Sequence, residues 1–250
     1  MNRRLIAAIA CRNNGKRLFG KPLQNLDVEN GIRIIDNIID TLKAIKCIDK
    51  IVLGISSGIE NQVYINIAEE KGLDYIIGDE FDVLDRLIQC GNKVGATDIF
   101  RITSESPFLY FQMVEKSWEQ HCHEKNDATF FEEIVDGCGF EIINLKALKV
   151  SHKKGEKRHQ SELCTLYIRE NPSQFKIRKI IAKHELRRKD LRLTVDNPED
   201  LVICRKIYEK FRNNVPKIKV EEIIIFLDEN PDLKELTLPF TSEGYKTMYL

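Results

Sequence analysis

Apolar positions along this chain follow two rhythms that take turns. Leu5 to Ala10 is an unbroken apolar run of strand length, and Lys50 to Ser57 and Leu73 to Ile77 read as further strands. Between them, Gly31 to Ile45 sets Ile32, Ile34, Ile35, Ile38, Ile39, Leu42 and Ile45 at helical spacing. Glu60 to Lys71 predicts a second helix, stopped by Gly72. Gly78 to Arg86 leads into a helix through about Val94, and Ile99 to Thr103 predicts a strand ending in Ser104-Glu105-Ser106-Pro107. Strand and helix in this alternation imply βαβ units and an α/β fold with a mostly parallel sheet.

The second half is less regular. Thr129 to Val150 holds shorter strand-like runs, Phe140 to Asn144 among them, with a turn at Gly137-Cys138-Gly139. The charged run at 151–160 predicts a solvated loop, and Leu163 to Glu170 a strand or short helix closed by Asn171-Pro172. Arg178 to Ala182 and Leu191 to Val195 read as strands, Pro198 to Arg212 as a helix capped by Asn197, and Val220 to Leu227 as a helix ended by Asn230-Pro231. The expected organisation is one domain over 1–212, with a small protruding arm at about 129–175 and a helical extension, 213–250, packed on it.

Composition narrows the partners. Among 250 residues, Lys plus Arg and Asp plus Glu are both 39, so no global field points to nucleic acid or an anionic membrane. Seven scattered cysteines without a C-x-x-C pair suit a reducing compartment. The apolar run near the start is too short for a signal-peptide core, and no stretch approaches the ~18 apolar residues of a membrane helix. A cytoplasmic protein is expected.

Candidate chemistry gathers after the first strand. Residues 12–21 carry Gly15 and Gly20 with the cations Arg12, Lys16, Arg17 and Lys21. Glycine lets backbone approach a phosphate closely, arginine grips its oxygens in pairs, and lysine adds a point charge. Gly15, Gly20 and Lys21 match part of a Walker A loop, but Pro22 stands where a hydroxyl residue is required. The residues alone equally fit a basic surface turn. A polyphosphate held by such a loop asks for Mg²⁺ on isolated carboxylates at strand ends, and Glu105 and Asp196 qualify. Each has a plainer reading, Glu105 as a loop acid and Asp196 as a charge at a helix N-terminus. His121-Cys122-His123 reads as a helix end rather than a zinc site, and the basic run Lys183 to Lys189 as solvated.

The loop resembles the signature P-A-R-x-G-S-x-R-L-P-G-K-P-L of CMP-sialic acid synthetases and KDO cytidylyltransferases. Arg12, Arg17, Leu18, Gly20, Lys21, Pro22 and Leu23 match it; Ala10, Cys11, Asn14, Gly15 and Phe19 depart from it. Asp82-Val83-Leu84-Asp85-Arg86, Arg101 to Pro107 and Arg192 to Leu201 resemble ordered blocks of the SpsF-like spore coat polysaccharide branch of that superfamily. Glu105 stands where the family has Asp, and Gly137 to Glu141 lacks the Asp of a G-L-D-V-E segment. The resemblance implies a Rossmann-like fold of the nucleotide-diphospho-sugar transferase type and transfer of CMP from CTP to an anionic sugar or sugar-like acceptor. It implies nucleotide contacts from Arg12, Asn14, Gly15, Lys16, Arg17, Lys21, Asp85 and Arg86, with Arg12, Arg17 and Lys21 catalytic. Arg101, Glu141 and Glu162 fall on the acceptor side and Glu105 and Asp196 on Mg²⁺, in a homodimer that meets neither nucleic acid nor membrane. The readings set against it are a glycosyltransferase of the same broad fold that uses a nucleotide sugar, and a non-catalytic binding subunit.

Overall fold

The computed structural model describes residues 3–15 and 17–247, with side chains as far as Ser242. Strand β1 (Leu5–Cys11) lies at the centre of the main sheet. An antiparallel pair, β2 (Asn25–Asp27) and β3 (Ile32–Arg33), precedes helix α1 (Ile34–Lys43). The helical rhythm that begins at Ile32 therefore loses its first two residues to this hairpin. Then follow β4 (Lys50–Ser56), α2 (Val63–Lys71), β5 (Asp74–Gly78), α3 (Val83–Val94) and β6 (Asp98–Arg101). The chain continues through α4 (Val114–Glu124), β7 (Ala128–Glu132), β8 (Phe140–Asn144), α5 (Leu145–Lys154), α6 (Leu166–Glu170) and β9 (Ile177–Ile181). Helices α7 (Pro198–Lys210), α8 (Val220–Glu229) and α9 (Pro231–Thr247) complete it.

The main sheet has seven strands in the order β5-β4-β1-β6-β8-β7-β9. Strands β5, β4, β1 and β6 run parallel, β8 runs antiparallel to both β6 and β7, and β9 is parallel to β7. Alternation along β1 builds a layer on each face. Leu5, Ala7, Ile9 and Cys11 join one core with α1, α2, α7 and α8, whereas Ile6 and Ala8 join the other with α3, α5 and α6. Chain order reverses beside β1, so loops at the carboxyl ends of β1 and β6 splay apart and leave a crevice, the usual ligand position in such sheets.

Three expectations change. Strands β7 and β8 sit in the main sheet and α5 packs on it, so most of 129–175 belongs to the body of the fold rather than to an arm. Residues 151–154 finish α5, and Lys157–Gln160 form one 3₁₀ turn with Ser151 and His159 buried. Leu191 to Val195 is extended but forms no strand. Its backbone partners are loops: Leu193 N donates to Asp136 O (2.8 Å) and Val195 N to Glu105 O (3.0 Å). Four apolar residues of α8, Val220, Ile223, Ile224 and Leu227, are buried in the same core as β1.

Candidate active site

The loop after β1 is organised by Asn13, which sequence reasoning missed. Its carbonyl accepts from the backbone N–H of both Gly15 (2.9 Å) and Gly20 (3.0 Å), drawing the two ends of the loop together. Its own N–H donates to Asn61 Oδ1 (2.8 Å), and its Oδ1 accepts from the Tyr64 hydroxyl (2.8 Å), so the pinch is pinned to the helices beyond β4. Gly15 cannot be replaced here, because a Cβ would sit 2.4 Å from the Leu18 carbonyl oxygen. After the pinch, Lys21 opens a short 3₁₀ turn with Pro22. Lys16 lies outside the described residues.

Beside this loop is an open cleft, lined by the loop, by one face of α3 and by the segment that follows β6. Of the residues expected to bind, Arg12, Asn14, Gly15, Lys21, Arg86, Arg101, Glu105 and Glu162 line it. Arg17 and Asp196 stand immediately behind Lys21: Asp196 Oδ1 accepts from Lys21 Nζ, and Arg17 Nη2 lies 3.0 Å from the same oxygen. Glu141 stands behind Arg101, which donates to it at 3.0 Å and to the Glu162 carbonyl at 2.8 Å. Asp85 is a correction. It does not line the cleft, and its carboxylate accepts from Gln89 one turn along α3. Val83, Arg86 and Leu87 form the face of α3 that meets the cleft, and at about 100° per residue Asp85 falls on the opposite face.

Charge in the cleft is paired in advance. Burial raises Asp196 less than the Lys21 hydrogen bond and the charges of Lys21, Arg192 and Arg17 lower it, so its pKa lies below the ordinary range. Glu105 moves the other way, raised by burial and by Asp196 against the attraction of Lys21; among the described residues its side-chain donor is Ser104 Oγ (3.1 Å). Arg12 reaches across the mouth to Glu162 (3.0 Å). Beneath it, Arg86 is 1% exposed and donates to the carbonyls of Gly54 (2.9 Å) and Cys11 (3.3 Å), while its Nε has no partner among the described residues. Glu141 accepts from Arg101, Arg169 (2.8 Å) and Thr165 (2.8 Å); their charges and hydrogen bonds outweigh burial and lower its pKa.

Glu105 and Asp196 form an all-oxygen donor pair facing the cationic loop. Among the described residues no group of three His, Cys, Asp or Glu could cage a metal. Such a pair suits Mg²⁺, which is commonly held by one or two carboxylates with phosphate oxygens and water. His121 is no metal ligand here. It lies in the last turn of α4, fully buried, with Nδ1 2.8 Å from Thr129 Oγ1 and Nε2 3.1 Å from Asp98. Of the residues passed over, Arg169 holds Glu141 and Asp200 holds the backbone of Asp196, and long-range pairing of this kind leaves no periodic trace in sequence.

A mostly parallel sheet with a pinched, cation-rich loop at the carboxyl end of its central strand, facing two carboxylates, defines a nucleotide-handling α/β protein. Comparison makes this specific. Residues 6–244 match the cytidylyltransferase family, and the chain belongs to that family, whose members are nucleotidyltransferases. It is 28% identical to an uncharacterized protein of Methanocaldococcus jannaschii, over 97% of this chain and 98% of that one. It is 25% identical to the spore coat polysaccharide biosynthesis protein SpsF of Bacillus subtilis, over 91% and 95%. Among solved structures, a cytidylyltransferase from Leptospira borgpetersenii superposes with a TM-score of 0.84 at 17% identity, covering 93% of this chain and 97% of that one. A CMP:2-keto-3-deoxy-manno-octonic acid synthetase complexed with CTP superposes at 0.63 and 13%, covering 83% and 99%. Among the described residues no helix is long and apolar enough to cross a membrane.

Proposed function

We propose that this protein transfers CMP from CTP to a hydroxyl of an anionic sugar or sugar-like acceptor, with release of pyrophosphate, in building a surface polysaccharide or glycoconjugate. The observation that carries this reading is the convergence of Arg17 and Lys21 on Asp196, next to Glu105 and the pinched loop. Arg12, Arg17 and Lys21 would exchange their carboxylate partners for the triphosphate, with Asn14 and the Gly15 backbone at its edge. Ala10, Val83 and Leu87 give an apolar wall beside Arg86, suited to a base. Arg101, held by Glu141, and Glu162 bound the acceptor side.

In the step itself the acceptor hydroxyl oxygen bonds to the α-phosphorus and gives up its proton to solvent, the bond from that phosphorus to the bridging oxygen breaks, and pyrophosphate leaves with the electron pair. The protein's part is alignment and charge neutralisation. Mg²⁺ held by Glu105 and Asp196 would neutralise phosphate oxygens as charge builds on them.

Calorimetric titration of the four ribonucleoside triphosphates, each with Mg²⁺, tests the reading. CTP should bind selectively, and Arg17→Ala should weaken it about tenfold or more, the value of a hydrogen bond to a charged group. Glu105→Gln should fold normally and lose pyrophosphate release. Binding of a nucleoside diphosphate sugar but of no triphosphate would refute the proposal in favour of a glycosyltransferase.

A further inference from the structure

Arg192 is 3% exposed and does not line the cleft, yet every nitrogen of its guanidinium is engaged. Its three guanidinium nitrogens go to three different carboxylates. Nε donates to Asp200 Oδ1 (3.2 Å), Nη1 to Asp136 Oδ2 (3.0 Å) and Nη2 to Asp196 Oδ2. The surrounding backbone is fixed as well. Asp200 Oδ2 accepts from the N–H groups of Asp196 (2.9 Å) and Asn197 (2.8 Å) in the first turn of α7. Val195 N–H donates to the Glu105 carbonyl (3.0 Å), and Leu193 N–H to the Asp136 carbonyl (2.8 Å). The Ser106 hydroxyl donates to Thr194 Oγ1 (3.0 Å), which ties the same segment to the loop that carries Glu105.

These contacts leave Asp196 little freedom. Its backbone is held from both sides and Oδ2 is held by Arg192, so Oδ1 alone is left to the loop cations Lys21 and Arg17, of which Lys21 lines the cleft. Resting on the reading that Asp196 serves a divalent cation, we infer that Arg192 is a positioning residue: it clamps one oxygen of Asp196 so that the carboxylate offers the other alone, at a fixed place beside Glu105. The guanidinium fork is what allows this, since a lysine ammonium at the same place cannot hold three separate carboxylates in one plane. Partners that orient a metal ligand in this way typically change metal affinity 10–100-fold when removed.

The test uses Mn²⁺ as the probe, read by electron paramagnetic resonance of the ion bound to full-length protein with a non-hydrolysable CTP analogue. Arg192→Lys should keep its melting temperature within a few degrees and bind the analogue without metal within about twofold of wild type. Its Mn²⁺ affinity should fall at least tenfold, and kcat should fall while KM for CTP is little changed. The double variant Arg192→Gln/Asp136→Asn removes one charge of each sign, which keeps the buried cluster balanced, and should reproduce the loss. Undiminished Mn²⁺ affinity in these variants, or loss of folding in both, overturns the inference and leaves Arg192 a purely structural residue. A wild-type protein that binds the analogue but no Mn²⁺ fails differently: the metal reading then falls, and the role of Arg192 with it.

Discussion

Replacing Gly137 with alanine adds one methyl group where the backbone has no space for it. Gly137 has φ +91°, and a Cβ there would lie 2.7 Å from the carbonyl carbon and oxygen of Leu193 and 2.8 Å from the nitrogen of Thr194. Those are backbone atoms of the segment that leads into Asp196, and the hydrogen bonds from Leu193 and Val195 prevent a retreat. The unfavourable φ costs about 1–3 kcal/mol. Overpacking against backbone adds about 1–3 kcal/mol, so the whole penalty is about 2–6 kcal/mol. Gly72 supplies the control, with φ +64° and nothing within 4 Å of its would-be Cβ. Alanine there carries the conformational penalty alone, about 1–2 kcal/mol. At roughly 2–4 °C per kcal/mol for a chain of this size, Gly137→Ala should melt about 4–24 °C below wild type and Gly72→Ala about 2–8 °C below. Thermal unfolding followed by circular dichroism reads both, and CTP binding should weaken in the Gly137 variant only. Equal shifts, or a Gly137 variant within 2 °C of wild type, would show that the Leu193 segment yields freely and that the fixed backbone argued for Asp196 does not exist.

Glu162→Gln breaks the ion pair that spans the cleft mouth between partners that are 40% and 71% exposed. Such a pair is worth about 0–1 kcal/mol, so CTP should bind up to about fivefold more tightly by calorimetry, and the gain should vanish at high salt; weaker CTP binding refutes it. Asp136 titrates at about 6 in the folded protein, raised chiefly by burial and further by Asp196 and Asp200 against the pull of Arg192. A folded pKa above the unfolded one means the native state holds the extra proton, so stability from this group is full below about pH 4 and is lost as pH rises through 6. Urea melts from pH 4 to 8 should therefore fall less steeply for Asp136→Asn than for wild type, by an amount on the order of 3 kcal/mol over that range; parallel curves would refute the assignment.

The parts of this molecule governed by local chemistry were readable from the chain. An apolar run ending in glycines and cations marked β1 and its loop, and helical spacing marked α1 and α3, because each is set by neighbours a few residues away. The misreadings share a cause. Leu191 to Val195 has the composition of a buried strand and is buried, but its backbone bonds go to loops at 105 and 136, a choice made by tertiary structure. The charged run at 151–160 reports that one face meets solvent, not that helix is absent: α5 carries Lys153 and Lys154 outward and Ser151 inward. In the cleft, residue types were legible and their order of approach was not. Asp85 and Arg86 sit side by side in sequence, yet only Arg86 turns inward, and nothing local announced that Asn13 would close the loop or that Arg192 would gather three aspartates.

A cleft for a triphosphate faces an electrostatic problem before its ligand arrives, since bare clustered cations repel one another. Here each described loop cation has a carboxylate partner: Arg12 has Glu162, while Arg17 and Lys21 share Asp196. Binding then becomes an exchange of partners, and the two sides of that exchange differ in cost. Glu162 is 71% exposed, so water replaces Arg12 at little expense. The Asp196 side chain is only 14% exposed, and a buried carboxylate stripped of Lys21 and Arg17 would carry a penalty of several kcal/mol unless another cation took their place. Arg192 meets part of that demand but is already shared with Asp136 and Asp200. The remaining demand falls on Oδ1, the oxygen that Lys21 and Arg17 share, which is where a divalent cation would bring the most.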